Sequence, residues 1–564
     1  MLNYLGGIIA KYRFNILVYN LKNLLHFKGF LIKKLTQIQL IFFVSIFLVL
    51  FDNYAFFTNT LKVYPLTLAN IGFLLSLGVV LTSLLVFVFT LFSSKYTTKP
   101  LLILVLIVSS MTNYFMNSYN VVIDESMIRN TMQTNLDESL DLVTLKQVLY
   151  ILFLGVLPAY LVYKSKIEYR GFKTELIAKI KAIVISLVII VGSIMLFSKH
   201  YTSFAREHKP LRYSTNPSYW IYSIGKYIKM TYFTGKLVLE PIGLDAKVVN
   251  KDDNNVSKLV IVVVGEAARA DHFSLNGYQR DTNPLLEKQD IINLPNVSSC
   301  GTSTAESVPC MFSIYDRGDY SYKKGISTEN VLDVLKHTKD IAILWRDNNS
   351  DSKGVALRVP YQNYKIPENN SICVEGECRD IGMLVGLDKF IKENKGKDIL
   401  IVLHQMGNHG PAYYRRYTKD FEKFKPTCKT NQLEKCTQDE IINAYDNAIL
   451  YTDYFLNETI NFLKKYDDKY ATALIYMSDH GESLGESGVY LHGLPYFMAP
   501  DAQTHIGAFV WFGKKMKKEL AVNHLKQNAQ KEYSQDYLFH TLLGIFNVQT
   551  KVYNKKLDML SDTQ

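Results

Sequence analysis

Carboxylate and imidazole side chains follow directly after three short apolar segments in the second half of the chain. These side chains are Glu266, His404, His409, Asp479, His480 and Glu482. Sites in open α/β sheets form outside the carboxyl ends of strands, so side chains at three such ends can converge on one metal ion. The mixture of oxygen and nitrogen ligands is typical of zinc, with manganese and magnesium as alternatives. His492 adds another imidazole shortly downstream.

A hydroxyl-rich turn supplies a candidate nucleophile. It reads SCGTSTAESVPC and runs from Ser299 to Cys310. A Thr hydroxyl becomes a good nucleophile once it loses its proton, and coordination to a metal favours that loss. If a helix begins near Thr304, its free backbone N–H groups favour an anionic phosphoryl group there. The competing interpretation is an ordinary helix N-cap, which Ser and Thr commonly form.

The elements that position these side chains have the pattern of an α/β domain. Five apolar runs are predicted as strands: Lys258–Gly265, Ile341–Trp345, Asp398–Leu403, Thr472–Met477 and Ala508–Phe512. Helical patterns lie between or after them: Thr328–Lys336, Asp439–Tyr466 and Ser534–Leu543. Because the strands are continuously apolar rather than alternating, we expect a doubly wound parallel sheet covered on both faces.

The first 200 residues are predicted to form a membrane domain. The chain has 564 residues, 48% apolar and 20% charged, so disorder does not describe it as a whole. Five long apolar runs lie close to the length needed to cross a bilayer: Gln39–Phe57, Leu66–Phe92, Leu101–Met116, Val148–Tyr163 and Ile183–Phe197. A buried core helix explains one such run but not five in succession. A cleavable signal peptide does not fit either, because the first run starts too far into the chain.

Basic residues predict the orientation of these helices. Lys and Arg precede the first run, follow the second and lie between the fourth and fifth, whereas the loop from the third to the fourth is acidic, with Asp137 and Glu138. The positive-inside rule then places the N-terminus in the cytoplasm and everything after residue 200 outside it. The net charge of +11 therefore reports membrane topology to a large extent, and we expect no nucleic-acid partner.

Cysteine placement agrees with that orientation. The six cysteines all follow residue 257 and form three close pairs: Cys300 and Cys310, Cys373 and Cys378, Cys428 and Cys436. Six cysteines allow 15 connectivities, of which pairing between neighbours is the simplest. Such disulfides require an oxidising compartment such as the periplasm. Zinc-finger spacing is missing from the cysteine pattern.

These observations divide the chain into four parts. We expect a cytoplasmic segment at 1–37, a transmembrane domain of five helices at 38–199, a linker at 200–256 and an α/β catalytic domain at 257–564. The linker carries Tyr and Trp residues beside Lys226 and Lys229. That composition suits either a helix lying on the outer membrane surface or an ordinary packed linker helix.

Five segments resemble the bacterial phosphoethanolamine transferases, a family that includes lipid A-modifying and mobile colistin-resistance enzymes. They are VVVGEAARADHFSLNGY (262–278), SCGTSTAESVPCMF (299–312), LHQMGNHGPAYYRRY (403–417), SDHGESLGESGVYLHGLPY (478–496) and YFMNSYNVVIDESMIRN (114–130). The resemblance covers nearly the whole chain from about residue 38. It implies an inner-membrane enzyme whose periplasmic domain has the fold of alkaline phosphatases and sulfatases.

The resemblance also implies residue roles. Thr304, rather than Thr302, is the expected nucleophile, and the expected ligands of one tightly held zinc are Glu266, Thr304, Asp479 and His480. The side chains expected to surround a second metal or the transferred phosphoryl group are His409, Glu482 and His492, with His404 nearby. Lys353 is expected to hold substrate, and Asn113 to face the donor headgroup.

Phosphoethanolamine is expected to pass from phosphatidylethanolamine, through a covalent threonine intermediate, to lipid A or another envelope acceptor. We expect a monomer. The nearest alternative is a phosphoglycerol transferase or phosphatase that uses the same metal-activated threonine. A receptor with a degenerate domain is disfavoured because Glu266, Thr304, Asp479 and His480 are all present. A transporter is disfavoured because the membrane segments contain few ionisable residues.

Overall fold

A computed structural model describes residues 34–133, 142–206, 208–232, 238–249, 256–374, 376–520 and 522–561. It divides the chain into two compact units, one formed by Met1–Asn117 with Leu145–Ile221 and the other by Ser118–Thr144 with Tyr222–Gln564. Most of the predicted cytoplasmic segment, residues 1–33, lies outside the described residues, as do Asp137 and Glu138 of the acidic loop.

The first unit is mainly helical and also contains a parallel pair of two-residue strands, Leu35–Thr36 and Ile167–Glu168. In chain order, the helices up to residue 232 are α1 (Gln37–Phe51), α2 (Tyr54–Val63), α3 (Leu68–Phe92), α4 (Thr98–Tyr119), α5 (Glu125–Gln133), α6 (Leu145–Lys164), α7 (Phe172–Leu196), Ser198–Arg206, Lys209–Tyr213 and α8 (Ser218–Tyr232). Helix α5 and most of α8 belong to the second unit. Among the described residues, α3, α4, α6 and α7 are each long and apolar enough to cross a membrane. The bent pair of α1 and α2 gives a fifth candidate span.

The first predicted span is broken rather than continuous. Helices α1 and α2 meet at an angle of 56° around Asp52 and Asn53. The amide of Asn53 donates a hydrogen bond of 2.9 Å to the carbonyl of Leu48, which also accepts the last helical bond of α1 from the backbone N–H of Asp52. The Asn53 side chain therefore caps the end of α1, as Asn and Asp side chains commonly do by bonding to nearby backbone groups.

The fifth span begins earlier than the hydropathy predicts. Helix α7 starts at Phe172, so Lys173, Lys179 and Lys181, which the charge pattern assigns to a loop, belong to its first half. Lys is a good helix former, and its long aliphatic stem allows the charge to remain in water while the helix continues.

The second unit is built on a central sheet of seven strands. They are β1 (Lys258–Gly265), β2 (Ile291–Asn293), β3 (Ile341–Asp347), β4 (Tyr361–Asn363), β5 (Asp398–His404), β6 (Ala471–Ser478) and β7 (Ala508–Phe512). The spatial order is β2-β7-β6-β1-β5-β3-β4. Strands β6, β1, β5, β3 and β4 run parallel. Every residue of β1 and β6 is buried, as their continuous apolar sequences predict.

One edge of the sheet is antiparallel. Strand β7 pairs antiparallel with β6, and β2 pairs antiparallel with β7. The prediction of an entirely parallel sheet is therefore wrong at this edge. Parallel pairing needs a crossover that carries the chain back to the opposite end of the sheet. Between β6 and β7, the described chain contains only short elements around 483–506, so β7 starts at the edge where β6 ends.

Helices cover the sheet. They are α9 (Thr304–Met311), α10 (Tyr322–Ser327), α11 (Val331–His337), α12 (Leu387–Glu393), α13 (Gln438–Lys464), Asp501–Thr504, Met516–Glu519, α14 (Val522–Asn528) and α15 (Tyr537–Ile545). The longest, α13, has a capping box in which Thr437 and Glu440 bond reciprocally to each other's backbone. Cysteines pair with their neighbours as predicted: Cys300–Cys310, Cys373–Cys378 and Cys428–Cys436.

Candidate metal centre

The register of two parallel strands brings Glu266 and Asp479 together. Gly265 at the end of β1 pairs with Ser478 at the end of β6, and the two acidic residues follow immediately. Asp479 Oδ1 accepts hydrogen bonds from the backbone N–H groups of Ala267, at 3.2 Å, and His480, at 2.7 Å. Both carboxylates are fully buried at the carboxyl edge of the sheet, where the sequence predicts a site.

Thr304 lies at the first position of α9, with its hydroxyl in this group. Ser303 precedes it in extended conformation but makes no capping bond through its side chain, so the N-cap interpretation does not account for the turn. Thr304 Oγ1 is 3.1 Å from Glu266 Oε2 and 3.4 Å from His480 Nε2. The side chains predicted as metal ligands, namely Glu266, Thr304, Asp479 and His480, therefore lie together, and we call them the metal cluster.

Hydrogen bonding orients the ring of His480. Its Nδ1 is 2.8 Å from the carbonyl of Gly481, which can only accept, so Nδ1 carries a proton. Nε2 therefore faces the two carboxylates, 3.5 Å from Glu266 Oε1 and 3.4 Å from Asp479 Oδ2. Metal-binding histidines are commonly oriented in this way by a bond to their other nitrogen.

The cluster has the unmatched acceptors that a cation would satisfy. Glu266 Oε1 and Asp479 Oδ2 are buried and have no hydrogen-bond partner among the described residues. Burial raises the pKa of Asp479, and the charge of Glu266 raises it further. Burial also acts to raise the pKa of Glu266, but the charges of His480, His409 and His492 outweigh it and hold that pKa low. The residues present therefore fit a divalent metal ion.

A second group of side chains adjoins the metal cluster. The ring of His492 is centred 4.3 Å from that of His480 and 5.8 Å from that of His409. Its Nδ1 is 3.1 Å from Glu482 Oε2, and Glu482 Oε1 accepts a hydrogen bond of 3.1 Å from the hydroxyl of Tyr413. Burial opposes protonation of His492, but Glu482, with smaller contributions from Glu266 and Asp479, raises its pKa to about 9. Tyr413 lies within the segment 403–417 that carries the family resemblance, but nothing in the sequence pattern assigns it a role.

His404 is the last residue of β5 and is fully buried. Its Nδ1 is 2.9 Å from Asp347 Oδ2, at the end of the neighbouring strand β3. Its Nε2 has no hydrogen-bond partner among the described residues. Burial opposes protonation, but Asp347, and more weakly Asp479 and Glu266, raise the pKa of His404. The prediction that His404 lies near the metal cluster agrees with these interactions, and its role in substrate binding stays a prediction.

Asn349 is a site residue that the sequence analysis missed. Its amide donates a 2.8 Å hydrogen bond to Glu266 Oε2 and a 2.9 Å bond to the carbonyl of Gln405. It follows the end of β3 by two residues, so it occupies the same edge of the sheet as the predicted ligands. The same rule that identified Glu266 and Asp479 could have identified it, had neutral side chains been considered.

The hydrogen bonds of Lys353 and Asn113 are made to residues outside the metal cluster. Lys353 is buried, and its Nζ donates a 3.4 Å hydrogen bond to the carbonyl of Gln133, at the end of α5. In the membrane unit, Asn113 is buried and donates to the carbonyl of Phe51 at 3.1 Å and to the carboxylate of Asp52 at 3.0 Å. Their roles toward substrate stay predictions.

Comparison with known proteins gives full-length matches. The phosphoethanolamine transferase EptA/EptB profile matches residues 81–232, and the sulfatase profile matches residues 258–548. The chain is 45% identical over 520 residues to phosphatidylethanolamine transferase Mcr-1 of Escherichia coli, covering 90% of this chain and 94% of that one.

Solved structures of phosphoethanolamine transferases are also similar to this chain. The integral membrane protein lipooligosaccharide phosphoethanolamine transferase A of Neisseria meningitidis aligns with a TM-score of 0.89 and 37% identity, covering 94% of this chain and 99% of that one. The C-terminal periplasmic domain of phosphoethanolamine transferase EptC of Campylobacter jejuni aligns with a TM-score of 0.51 and 42% identity, covering 58% and 98%.

The prediction of an inner-membrane protein with its catalytic domain in the periplasm is thereby confirmed. So is the prediction of an α-helical membrane domain followed by a sulfatase-like α/β domain. The chain belongs to the phosphoethanolamine transferases, a family of membrane-bound enzymes.

Proposed function

We propose that this transferase takes phosphoethanolamine from phosphatidylethanolamine, carries it covalently on Thr304 and delivers it to a phosphate of lipid A. The observation that carries the proposal is the position of the Thr304 hydroxyl, 3.1 Å from Glu266 and 3.4 Å from His480. The name of Mcr-1, a phosphatidylethanolamine transferase, supports the donor. Both proposed substrates are lipids, which agrees with attachment of the enzyme to a membrane.

We propose zinc as the metal. Two carboxylates, one imidazole and one hydroxyl form a set of four ligands with mixed oxygen and nitrogen donors, which suits tetrahedral zinc better than magnesium, whose sites are octahedral and oxygen-rich. When bound, the ion supplies the positive charge that favours the ionised form of the Thr304 hydroxyl. We propose one tightly held zinc. When His409, His492 and Glu482 face the transferred phosphoryl group rather than a second metal, His492 is free to hold a proton.

The first half of the reaction forms the covalent adduct. Thr304 Oγ1 attacks phosphorus, the bond from phosphorus to the glycerol oxygen breaks, and diacylglycerol leaves with a proton. The first free N–H groups of α9 face the transferred phosphoryl group and stabilise its charge. In the second half, a phosphate oxygen of the acceptor attacks the same phosphorus, the bond from phosphorus to Thr304 Oγ1 breaks, and the Thr304 hydroxyl recovers its proton.

His492 is suited to supply the proton for the departing oxygen. Glu482 holds its Nδ1, so Nε2 is the nitrogen left to exchange a proton with substrate. A pKa of about 9 keeps the ring protonated at neutral pH, as a general acid requires. Glu482, fixed by Tyr413, acts here by orienting His492.

Mass spectrometry of the Thr304 peptide tests the proposal. After incubation with phosphatidylethanolamine and no acceptor, we expect a phosphoethanolamine adduct on Thr304 and an equal amount of free diacylglycerol. An adduct formed only from phosphatidylglycerol would instead establish the alternative, a phosphoglycerol transferase. Turnover without any adduct would favour a phosphatase.

Lipid mass spectrometry tests the acceptor. Cells that express the protein should contain lipid A heavier by one or more phosphoethanolamine groups, with more positive charge and weaker polymyxin binding. Unchanged lipid A together with a modified core sugar or protein would overturn lipid A as the acceptor.

We propose that the enzyme acts as a monomer organised as a membrane domain at 38–199, a linker at 200–256 and a catalytic domain at 257–564. The metal cluster draws all of its ligands from one chain, so the chemistry requires neither a second copy nor nucleic acid. Light scattering of the detergent-solubilised protein measures the oligomeric state.

A further inference from the structure

Helix α5, which belongs to the same compact unit as the catalytic domain, carries an arginine that the mechanism above does not use. The methyl of Met127 lies against Gly493, the residue after His492. At its other end, the carbonyl of Gln133 accepts the hydrogen bond from Lys353. Arg129 lies between these two contacts, so α5 extends from the turn that carries His492 to the predicted substrate lysine.

The guanidinium of Arg129 is held rigidly but is only partly satisfied. It lies over the ring of Tyr322, 4.1 Å from the ring centroid. Its Nε and Nη2 donate to Glu125 Oε1 at 3.3 and 3.0 Å. Its Nη1 is shielded from solvent and has no acceptor within the described part of the chain, and the whole residue is only 4% exposed.

A buried donor without an acceptor destabilises a protein, and a charged donor does so more strongly. Such a group therefore needs an explanation, and a ligand that supplies the acceptor is one. A guanidinium stacked on an aromatic ring, with free N–H donors at its edge, is suited to phosphate.

Other cations lie in the same part of the domain as Arg129. Arg317 lies over the ring of Tyr496, 3.1 Å from its centroid. Lys353 is buried at the far end of α5, where its Nζ donates to the carbonyl of Gln133.

We propose that Arg129 binds a phosphate monoester of the acceptor lipid. The inference rests on the proposed function. The donor has a single phosphate, which is the group transferred to Thr304, so a phosphate site on α5 has no donor group left to bind. The acceptor brings its own phosphate, and a fixed guanidinium beside the nucleophile helix α9 would hold it for attack.

Separate measurement of the two half-reactions tests this. The first is diacylglycerol release from phosphatidylethanolamine in a single turnover without acceptor. The second is transfer from the purified adduct to phosphorylated lipid A. For Arg129→Gln, we expect adduct formation within about twofold of the unaltered enzyme and a KM for lipid A raised about tenfold or more, as for loss of a charge-assisted phosphate contact. Arg129→Lys keeps the charge but not the planar guanidinium, so its KM for lipid A should lie between the values of the unaltered enzyme and of Arg129→Gln.

Arg415→Gln is the matched control, because Arg415 is a half-exposed arginine of the same domain, 3.9 Å from Glu377. It should change neither half-reaction. Equal losses in both halves for Arg129→Gln would show a structural role, and a loss confined to adduct formation would show a donor contact. Either result, or an unchanged KM for lipid A, overturns the inference. If the unaltered enzyme forms no adduct, the proposed function itself fails and the inference fails with it.

Discussion

Two clusters in the catalytic domain each contain a buried aspartate beside a histidine, but they differ in what the carboxylate oxygens bind. In the metal cluster, Glu266 Oε1 and Asp479 Oδ2 have no partner among the described residues. In the second, which we call the Asp446 cluster, Asp446 Oδ1 is 2.6 Å from His272 Nδ1. Its Oδ2 accepts from the hydroxyl of Tyr278 at 2.9 Å and from Arg280 at 2.8 Å.

The difference shows that a buried carboxylate beside a histidine does not by itself make a metal site. Asp446 has hydrogen bonds at both oxygens and a positive charge beside it, so nothing more is required to bury it. Asp479 shares its space with a second carboxylate, and like charges in a buried site need a cation. The Asp446 cluster stabilises the fold, whereas the metal cluster is arranged to bind a cation.

Loss of the proposed nucleophile should reduce activity more than any other change. Thr304→Ala removes the hydroxyl that we propose forms the covalent adduct, so we expect transfer activity to fall by about 10³-fold or more. Thermal unfolding should change little. Thr302→Ala is the matched control because Thr302 Oγ1 donates to the carbonyl of Leu494 at 2.6 Å, and its loss should cost about 1 kcal/mol of stability while most activity remains. Adduct formation by Thr304→Ala would contradict the assignment of the nucleophile.

Asp479→Asn should separate metal binding from folding. The substitution removes a ligand, so we expect metal affinity to fall by more than the roughly 10–100-fold typical of losing an outer partner. The metal-free protein should unfold at the same or a higher temperature, since the repulsion between the two carboxylates is relieved. Elemental analysis and calorimetry give both quantities. A large loss of stability in the metal-free state would show that Asp479, like Asp446, mainly stabilises the fold.

Asp446→Asn should reduce stability without reducing metal binding, which is the opposite of the effect expected for Asp479→Asn. Removing the charge weakens the hydrogen bonds to His272, Tyr278 and Arg280, and loss of a hydrogen bond to a charged group typically costs about 1.5–3 kcal/mol. We expect a clear drop in unfolding temperature, while metal content and activity per folded molecule are retained. Asp439→Asn, an exposed change in the first turn of the same helix α13, is the control. Loss of metal in Asp446→Asn would remove the distinction between the two clusters.

The smallest expected effect is on pH dependence. Because burial and the charge of Glu266 raise the pKa of Asp479, the metal-free site takes up a proton at a higher pH than an exposed Asp, whose pKa is about 4. The proton competes with the metal, so metal affinity should begin to fall above that pH as the solution is acidified. Competition titrations with a chelator between pH 5 and 8 measure this. Affinity that stays constant down to about pH 4 would contradict the raised pKa.

Local patterns in the sequence predicted most of the secondary structure around the site. The continuous apolar runs gave β1 with its observed bounds and β5 and β6 to within one residue at each end. The antiparallel direction of β7 could not be read from its composition, because a buried edge strand is apolar in either direction. At the break between α1 and α2, the side chain of Asn53 caps α1 through a hydrogen bond that hydropathy does not register.

Residue order and strand length, which are local properties, are enough to place particular residues at the carboxyl ends of the strands. The folded chain is needed to show that Glu482 bonds His492. It is also needed to show which carboxylate oxygens and which nitrogen of Arg129 have no partner among the described residues. These features depend on strand register and on contacts between residues far apart in the chain, as between Tyr413 and Glu482. A hydrogen-bond partner is fixed by distances of a fraction of an ångström, and no local pattern encodes them.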